Sequence, residues 1–349
     1  MNVAILYNLI RKELVEGRPL DAIAELDSKE TIQAEKKAFE EAGHNVILIE
    51  ADKNAFQRLK KLRNKIDIVF NVAEGIHGEA RRSQIPAMLE MLNIPYAGSD
   101  ALTQALCLDK AMAKRIMIQH GIPTPKFQVV ESINEKIDKN LKYPIILKLV
   151  HEGSQMGLDE DSVVENVHEL IKKLKHLIKT YKEPVLVEEF IEGREFTIPV
   201  IGNPGFTLPI IEVVFEGGDK KTDLWVPDDP VIPLIKKWGR RIKFNQTSRS
   251  ICPAKIPEKM AKKLRSAVLN AYRALDCKDF CRIDMIYKDG TPHILELNPT
   301  PGIDPTYWFP KSAYAAGMTY SQLLDKIISI AAERYRLKNR RNAKIRGKR

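Results

Sequence analysis

Residues 280–305 read FCRIDMIYKDGTPHILELNPTPGIDP. Two alternating, β-prone runs flank Asp289-Gly290, the composition of a hairpin. In the first run, alternation sets Arg282 and Asp284 on one face, with Cys281, Ile283 and Met285 on the other. In the second, Glu296 and Asn298 share a face. So apolar a strand has little reason to carry a carboxylate and an amide together unless other groups converge there. Opposed residues of an antiparallel pair point the same way. With Arg282 set against Glu296, Asp284 falls opposite Ile294 and the loop around Asp289-Gly290 has an odd length. All four polar groups then project from one surface. Two carboxylates, an amide oxygen and an arginine make a hard-cation site suited to magnesium, which shares its oxygen ligands with substrate phosphates. A solvated sheet face with an Arg–Glu cross-strand pair is the plainer alternative.

Upstream, the first hundred residues alternate strand and helix: VAILY, an amphipathic stretch over about Asp27 to Ala42, HNVILIEA, a basic helix, and IDIVFNV. That order predicts a parallel sheet with crossovers. No G-x-G-x-x-G follows the first strand, so a dinucleotide reading is weak. A helix is expected over about Ala101 to His120, stopped by GIPTP. A second α+β unit holds FQVV, YPIILKLV, the turn HEGSQMG, a helix over about Ser162 to Thr180, and EPVLVEEFI. A third holds REFTIPVIG, LPIIEVVF, a polar segment over about Glu216 to Ser250, a helix over about Pro257 to Leu275, and the hairpin. A last helix runs over about Tyr320 to Arg334. The expected division is 1–105, a Rossmann-like parallel α/β domain; 106–191 and 192–334, two α+β lobes; and 335–349, a basic tail.

Composition excludes several classes. The 349 residues are 44% apolar and 29% charged, ordinary for a globular protein of more than one lobe. No apolar run approaches the roughly 18 residues of a membrane span. The opening MNVAILYNLIRKELVEG meets charge too early for a secretory h-region, and the four cysteines form no disulfide framework or zinc set. A cytoplasmic protein with reduced thiols is expected. The net charge is +10, but residues 336–349 carry eight basic residues and no acid. The body is therefore near neutral, and nucleic acid is not the expected partner beyond whatever that solvated tail touches.

Other residues fit phosphate chemistry. Lys148 is the one charge in YPIILKLV; it either snorkels to an edge or meets a buried anion such as phosphate. Gly153, Ser154 and Gly157 in HEGSQMG could turn backbone N–H groups toward phosphate oxygens, although many turns look alike. Lys110 in CLDKAMAK reads equally well as a solvated helix lysine. Glu188, Glu189 and Glu195 in VEEFIEGREF could accept from an adenine amino group and ribose hydroxyls, or simply end a charged strand. There is no G-x-S-x-G, no Cys beside a plausible His, and no HExxH among the seven histidines. Any chemistry is electrostatic.

In order, FNVAEGIHGE, SQIPAMLEMLNIPYAGSD, CLDKAMAKRIMIQHGIPTP, YPIILKLVHEGSQMG, PVLVEEFIEGREFTI, SICPAK, LDCKDFCRIDMI, ILELNPTPGIDP and AGMTYSQLLDKII resemble the ATP-grasp ligases, in particular the D-alanine–D-alanine ligase branch. The resemblance implies an ATP-grasp fold and an ATP- and magnesium-dependent carboxylate–amine ligase acting through an acyl phosphate. Lys110 and Lys148 would hold ATP phosphates under the loop bearing Gly153 and Ser154. Glu188, the backbones of Glu189 and Ile191, and Glu195 would bind adenine and ribose, with Phe190 packed nearby. Asp284, Glu296 and Asn298 would hold two magnesium ions, which manganese could replace. Arg282 and the Gly302 N–H would stabilise the oxyanion. Implied partners are small amino-acid-like carboxylate and amine substrates, and a homodimer.

The departures from the family concern substrate. The glutamate that receives the first substrate's amino group has no clear match in NLIRKELVEGRPLDAIAELDSKE. The serine that takes the second substrate's carboxylate falls at Tyr307 or Trp308, by spacing Tyr307. Gln155 replaces a second serine. The family histidine after the third strand is His77 or is replaced by Glu74, and the lid lysine is Lys220 or Lys221.

Overall fold

The computed structural model describes residues 1–10, 26–159, 161–215 and 248–337. Lys220, Lys221, most of the 216–250 segment, residues 11–25 and the tail from 338 lie outside the described residues.

The first sheet is parallel and ordered β2-β1-β3-β4, from β1 (Asn2–Tyr7), β2 (Asn45–Glu50), β3 (Ile68–Asn71) and β4 (Tyr96–Ala97). Val3 to Leu6 are buried on both faces, as a central parallel strand between helices requires. Helix α1 (Lys29–Glu41) starts where the Ser28 side chain accepts from the Thr31 N–H. Helices α2 (Ala55–Leu62) and α3 (Gln84–Met91) complete the crossovers.

The expected helix over 101–120 is two helices, α4 (Ala101–Leu108) and α5 (Lys110–Gln119). Asp109 adopts an extended backbone and caps α5, its carboxylate accepting from the Met112 N–H. The Lys110 N–H bonds outward to the Val150 carbonyl. The break aims Lys110 and Lys114 at the neighbouring sheet.

That second sheet is antiparallel, ordered β5-β8-β6-β7, from β5 (Phe127–Val130), β6 (Ile145–Leu149), β7 (Val163–Val164) and β8 (Val185–Glu189). Its helix α6 (Val167–Tyr181) begins later than expected. Asn166 caps it by accepting from His168 and Glu169, and Val163–Val164 joins the sheet instead. Leu170, Leu174 and Leu177 pack on Leu147, Val185 and Val187.

The third sheet runs β12-β11-β9-β13-β14, with β10 beside β9: β9 (Arg194–Ile201), β10 (Phe206–Thr207), β11 (Ile211–Phe215), β12 (Ser248–Ile251), β13 (Phe280–Lys288) and β14 (Thr291–Asn298). Helix α7 (Glu258–Ala274) covers one face through Leu264, Val268 and Ala271 over Phe196, Ile198, Met285 and Ile294. The opposite face carries the polar residues.

After the hairpin come α8 (Trp308–Ala315) and α9 (Tyr320–Arg334). Leu324, Ile327 and Ile328 of α9 share a core with Phe39 and Phe70 of the first sheet and Phe280 of β13. Arg334 ties this junction, donating to the fully buried Asp279 carboxylate (2.6 and 3.0 Å) and to the Tyr96 and Gly98 carbonyls.

Candidate active site

The hairpin register differs from the expected one. Asp289 and Gly290 form a two-residue turn with both φ values positive (48° and 82°), the backbone a type I′ turn demands. In an uninterrupted ladder closed this way, Asp284 would face Leu295 and Glu296 would point into the core. Instead the register shifts between Asp284 and Met285, with Leu295 the extra residue. Asp284 then lies opposite Glu296, and Arg282 opposite Asn298. The expected convergence on one face stands. The pairs Arg282–Glu296 and Asp284–Ile294 and the odd loop do not, because the bulge supplies the odd residue.

Two contacts anchor the bulge. Ile294 and Leu297, three apart, both enter the core under α7. The Ile294 N–H bonds the Pro123 carbonyl (2.8 Å), and its carbonyl accepts from Thr124 Oγ1 (2.8 Å). Both backbone groups of Ile294 on this edge strand are thus satisfied.

Asp284 is held on several sides. Arg282 donates Nε to Oδ1 (3.0 Å) and Nη2 to Oδ2 (2.8 Å), Thr197 of β9 donates Oγ1 to Oδ1, and Asn298 Nδ2 lies 3.0 Å from Oδ2. Asn298 Nδ2 is also 3.3 Å from Glu296 Oε1. Burial favours the neutral form of Glu296, but Lys110, Arg282 and Lys148 outweigh it and hold the carboxyl below its usual range. Glu195 shares this face, since the register pairs it with Ile286, two residues beyond Asp284. Burial, then the charge of Asp284, with Glu296 adding and Lys148 opposing, lifts its pKa to about 7.

Across the cleft, Lys148 Nζ lies 2.8 Å from Glu188 Oε1, and Lys114 Nζ lies 2.7 Å from Oε2. Lys148 is therefore not solitary; its buried anion in this structure is Glu188. Burial works against both charges, yet the two ammonium groups keep Glu188 below the carboxylate range, and Glu188 keeps Lys148 above the amine range. For Lys114, only 1% exposed, burial wins and lowers the pKa. Lys114 also donates to Thr124 Oγ1 (2.7 Å), which joins this pair to the bulge. Sequence reasoning missed Lys114. Its signal was present as the residue four beyond Lys110, one turn along the same helix face.

Lys110 reaches between the sheets, its Nζ 4.0 Å from Glu296 Oε2 and donating to the Glu152 carbonyl. In the loop beyond β6, Ser154 and Gln155 take left-handed backbones (φ 48° and 60°) and Met156 anchors the turn in the core. Gly153 and Ser154 lie at its partly open crest. Glu189 ends β8, and Phe190 and Ile191 follow it; all three are half-buried. The Glu189 N–H is committed to the Lys126 carbonyl and the Phe190 N–H to the Pro144 carbonyl, so neither is free for adenine.

Gly302 is required by space: a Cβ there would sit 2.4 Å from Tyr307 Cδ2. Tyr307 occupies the N-cap of α8 and lays its ring over this backbone. Trp308 packs on Ile211 and Val213 and presents its ring to Arg282, 5.4 Å from Cζ. His77 lies on an exposed turn, whereas Glu74 is buried and ion-paired with Arg82. Glu74 faces a seam of acids, Asp27 and Asp304 among them, that borders the Gly302 loop. Glu35 completes the seam. It is fully buried, and among the described residues neither carboxyl oxygen has a hydrogen-bond partner. Burial, then the charges of Asp27 and Asp304, pushes its pKa well above the usual range.

A cleft between two sheets, with Lys110 of α5 and Lys148 of β6 on one side and Asp284 and Glu296 on the other, is the arrangement of an ATP-grasp ligase. A family model described as the D-ala D-ala ligase C-terminus matches residues 116–329. The D-alanine–D-alanine ligase of Carboxydothermus hydrogenoformans is 33% identical over 308 residues, covering 85% of this chain and 91% of that protein. An uncharacterized protein, y4sG, of Sinorhizobium fredii is 34% identical over 306 residues, 85% and 86% of the two chains. The crystal structure of D-alanine–D-alanine ligase from Bacillus anthracis superposes with a TM-score of 0.74 at 25% identity, over 95% of this chain and 98% of that one. The chain belongs to the D-Ala–D-Ala ligase family. It is an ATP-dependent, ADP-forming ligase that makes a peptide bond.

Proposed function

We propose that the protein joins two small amino acids through an acyl phosphate, D-alanine with D-alanine or a close analogue. The observation that carries this reading is the convergence of Arg282, Asp284, Glu296 and Asn298 on one face, with Lys110 4.0 Å from Glu296. The three sheets support a division into units 1–105, 106–191 and 192–334, and the cytoplasm, which keeps free cysteines reduced, suits the chemistry.

Among the described residues no three His, Cys, Asp or Glu side chains form a metal cluster. The donor set here is two carboxylates and an amide, which fits magnesium that completes its shell with phosphate oxygens and water. Asp284, Glu296 and Asn298 would hold it. When bound, it supplies positive charge against the phosphates.

Lys110 and Lys148 orient the ATP phosphates, and the loop of Gly153 and Ser154 covers them. Glu195 and the segment Glu189 to Ile191 take the nucleoside. Because Glu188 is spent on Lys114 and Lys148, its part is to hold those ammonium groups rather than to meet the base. An oxygen of the first substrate's carboxylate attacks the γ-phosphorus and ADP leaves. The second substrate's amine then attacks the acyl carbon, the C–N bond forms, and inorganic phosphate departs. Arg282 and the Gly302 N–H receive the negative charge on the acyl oxygen.

The pocket favours a second reading of the substrates alone. Tyr307 and Trp308 wall the cleft, and the buried Glu74–Arg82 pair borders the seam, so a different acid or amine would fit the same chemistry. Phosphate release from ATP and magnesium, screened against pairs of D- and L-amino acids, decides between them. D-alanine as sole productive substrate supports the first reading, and turnover only with another pair supports the second. No turnover with any pair would refute both.

A further inference from the structure

The loop that follows β6 is gripped from outside its own sheet. Arg81, in a 3₁₀ turn (Arg81–Ser83) that follows the first sheet's β3, donates Nη1 to the His151 carbonyl (3.0 Å) and to Glu152 Oε1 (3.3 Å), and Nη2 to Glu152 Oε2 (2.6 Å). Side-chain exposures of 12% for Arg81 and 20% for Glu152 keep this fork partly out of water. The base of Arg81 is rigid. Its carbonyl packs on Gly75 so closely that a Cβ there would lie 2.1 Å away. Gln84 staples the same turn, accepting from the Ile76 N–H (3.0 Å) and donating to the His77 carbonyl (2.6 Å).

The other side of the loop is fixed as firmly. The His151 N–H and Nδ1 both meet Glu183 Oε1 (2.8 and 2.9 Å), and Nε2 lies 3.6 Å from Asp109 Oδ2. The Glu152 carbonyl takes the Lys110 ammonium, which also faces Glu296. Glu152 thus joins Arg81 on one side to a lysine of the cleft on the other. Just beyond it, Ser154 and Gln155 hold consecutive left-handed backbones, a shape disfavoured for residues with a Cβ.

We propose that Arg81 is a positioning residue for the nucleotide site: by clamping Glu152 from the first sheet's side, it holds the 151–157 turn over the phosphates and keeps Lys110 aimed at the cleft. Docking of the first sheet and order in the phosphate loop are thereby one event. The inference rests on the reading of this cleft as the ATP site.

The test uses the full chain and a non-hydrolysable ATP analogue with magnesium, so it does not depend on the amino-acid substrates. Arg81→Ala, Arg81→Lys, Glu152→Gln, the single variants Arg81→Glu and Glu152→Arg, and the reversed pair that combines those two are compared for analogue affinity, KM for ATP against kcat, melting temperature, and hydrogen exchange across 151–157. Arg81→Ala should weaken analogue binding and raise KM for ATP about tenfold. Its melting temperature should hardly move, and amides 151–157 should exchange faster. Arg81→Lys should lie between, because an ammonium cannot form the fork. The reversed pair should recover most of the loss. Analogue affinity unchanged in Arg81→Ala, or strictly additive losses in the reversed pair, overturns the clamp. Should Arg81→Ala fail to fold, Glu152→Gln decides instead: wild-type affinity overturns the clamp, weakened affinity with a native melting temperature supports it. Failure of the unmodified chain to bind the analogue would sink the nucleotide site and the clamp together.

Discussion

Asp284 and Glu296 stand directly opposite one another across the β13–β14 ladder because Leu295 is an extra residue in β14. The tight turn at Asp289-Gly290 alone would set the opposite parity and bury Glu296. Two carboxylates share one face through a backbone irregularity rather than through the alternation of their own strands.

Deleting Leu295 should spare the site. The ladder closed by Asp289-Gly290 then becomes regular and still sets Asp284 opposite Glu296 and Arg282 opposite Asn298, with Ile294 and Leu297 in the core. Glu296→Ala removes one of the two acids outright. Phosphate release should fall by less than about tenfold in the deletion and by about a thousandfold or more in the alanine variant. Equal losses would mean that this register does not hold the acids together.

Gly302→Ala should cost about a hundredfold in kcat through displacement of the loop by the Tyr307 ring. The double variant Gly302→Ala, Tyr307→Ala should recover part of it, because the 2.4 Å clash is with that ring. Steady-state kinetics on both variants reads this. No recovery would place the requirement for glycine elsewhere than in space.

Glu188→Leu should destabilise the fold by about 3–5 kcal/mol, since it leaves Lys114 buried without its counter-charge. Lys148→Ala leaves the Lys114–Glu188 pair in place and should lower activity far more than stability. Chemical denaturation beside turnover separates the two, and a fully stable Glu188→Leu protein would contradict the buried pair.

Glu35→Gln should stabilise the protein in a pH-dependent way. Burial raises the folded-state pKa of Glu35 above its ordinary 4.5. Below pH 4.5 both folded and unfolded chains carry the proton, so the substitution should matter little. As pH rises above 4.5 the unfolded chain gains by ionising, and the native chain loses stability until its own, higher pKa is passed. The advantage of glutamine should grow from acid to neutral pH in paired melting curves. A constant difference across that range would show that Glu35 is not buried as a neutral acid.

Much of this was legible along the chain. Period-two alternation located Arg282, Asp284, Glu296 and Asn298 on one shared face, and the strand–helix order of residues 1–100 announced a parallel sheet. The break at Asp109 had a local cause, an acid able to cap a new helix, but sat in a continuous helical pattern that concealed it. The ion pairs Lys114–Glu188, Arg81–Glu152 and Arg334–Asp279 join residues 55 to 74 positions apart. Nothing local marks such partners.

By itself the sequence determined the local choices: which segments extend or coil, where side-chain caps start helices, and where Asp289-Gly290 reverses the chain. These depend on near neighbours and on backbone sterics. Tertiary structure alone decided which carboxylate faces which. Leu295 has no distinguishing chemistry, and the bulge arises because Ile294 and Leu297 must both pack under α7 while Pro123 and Thr124 satisfy the Ile294 backbone. The packing of a distant helix and loop thus sets the parity of the ladder, and with it the site.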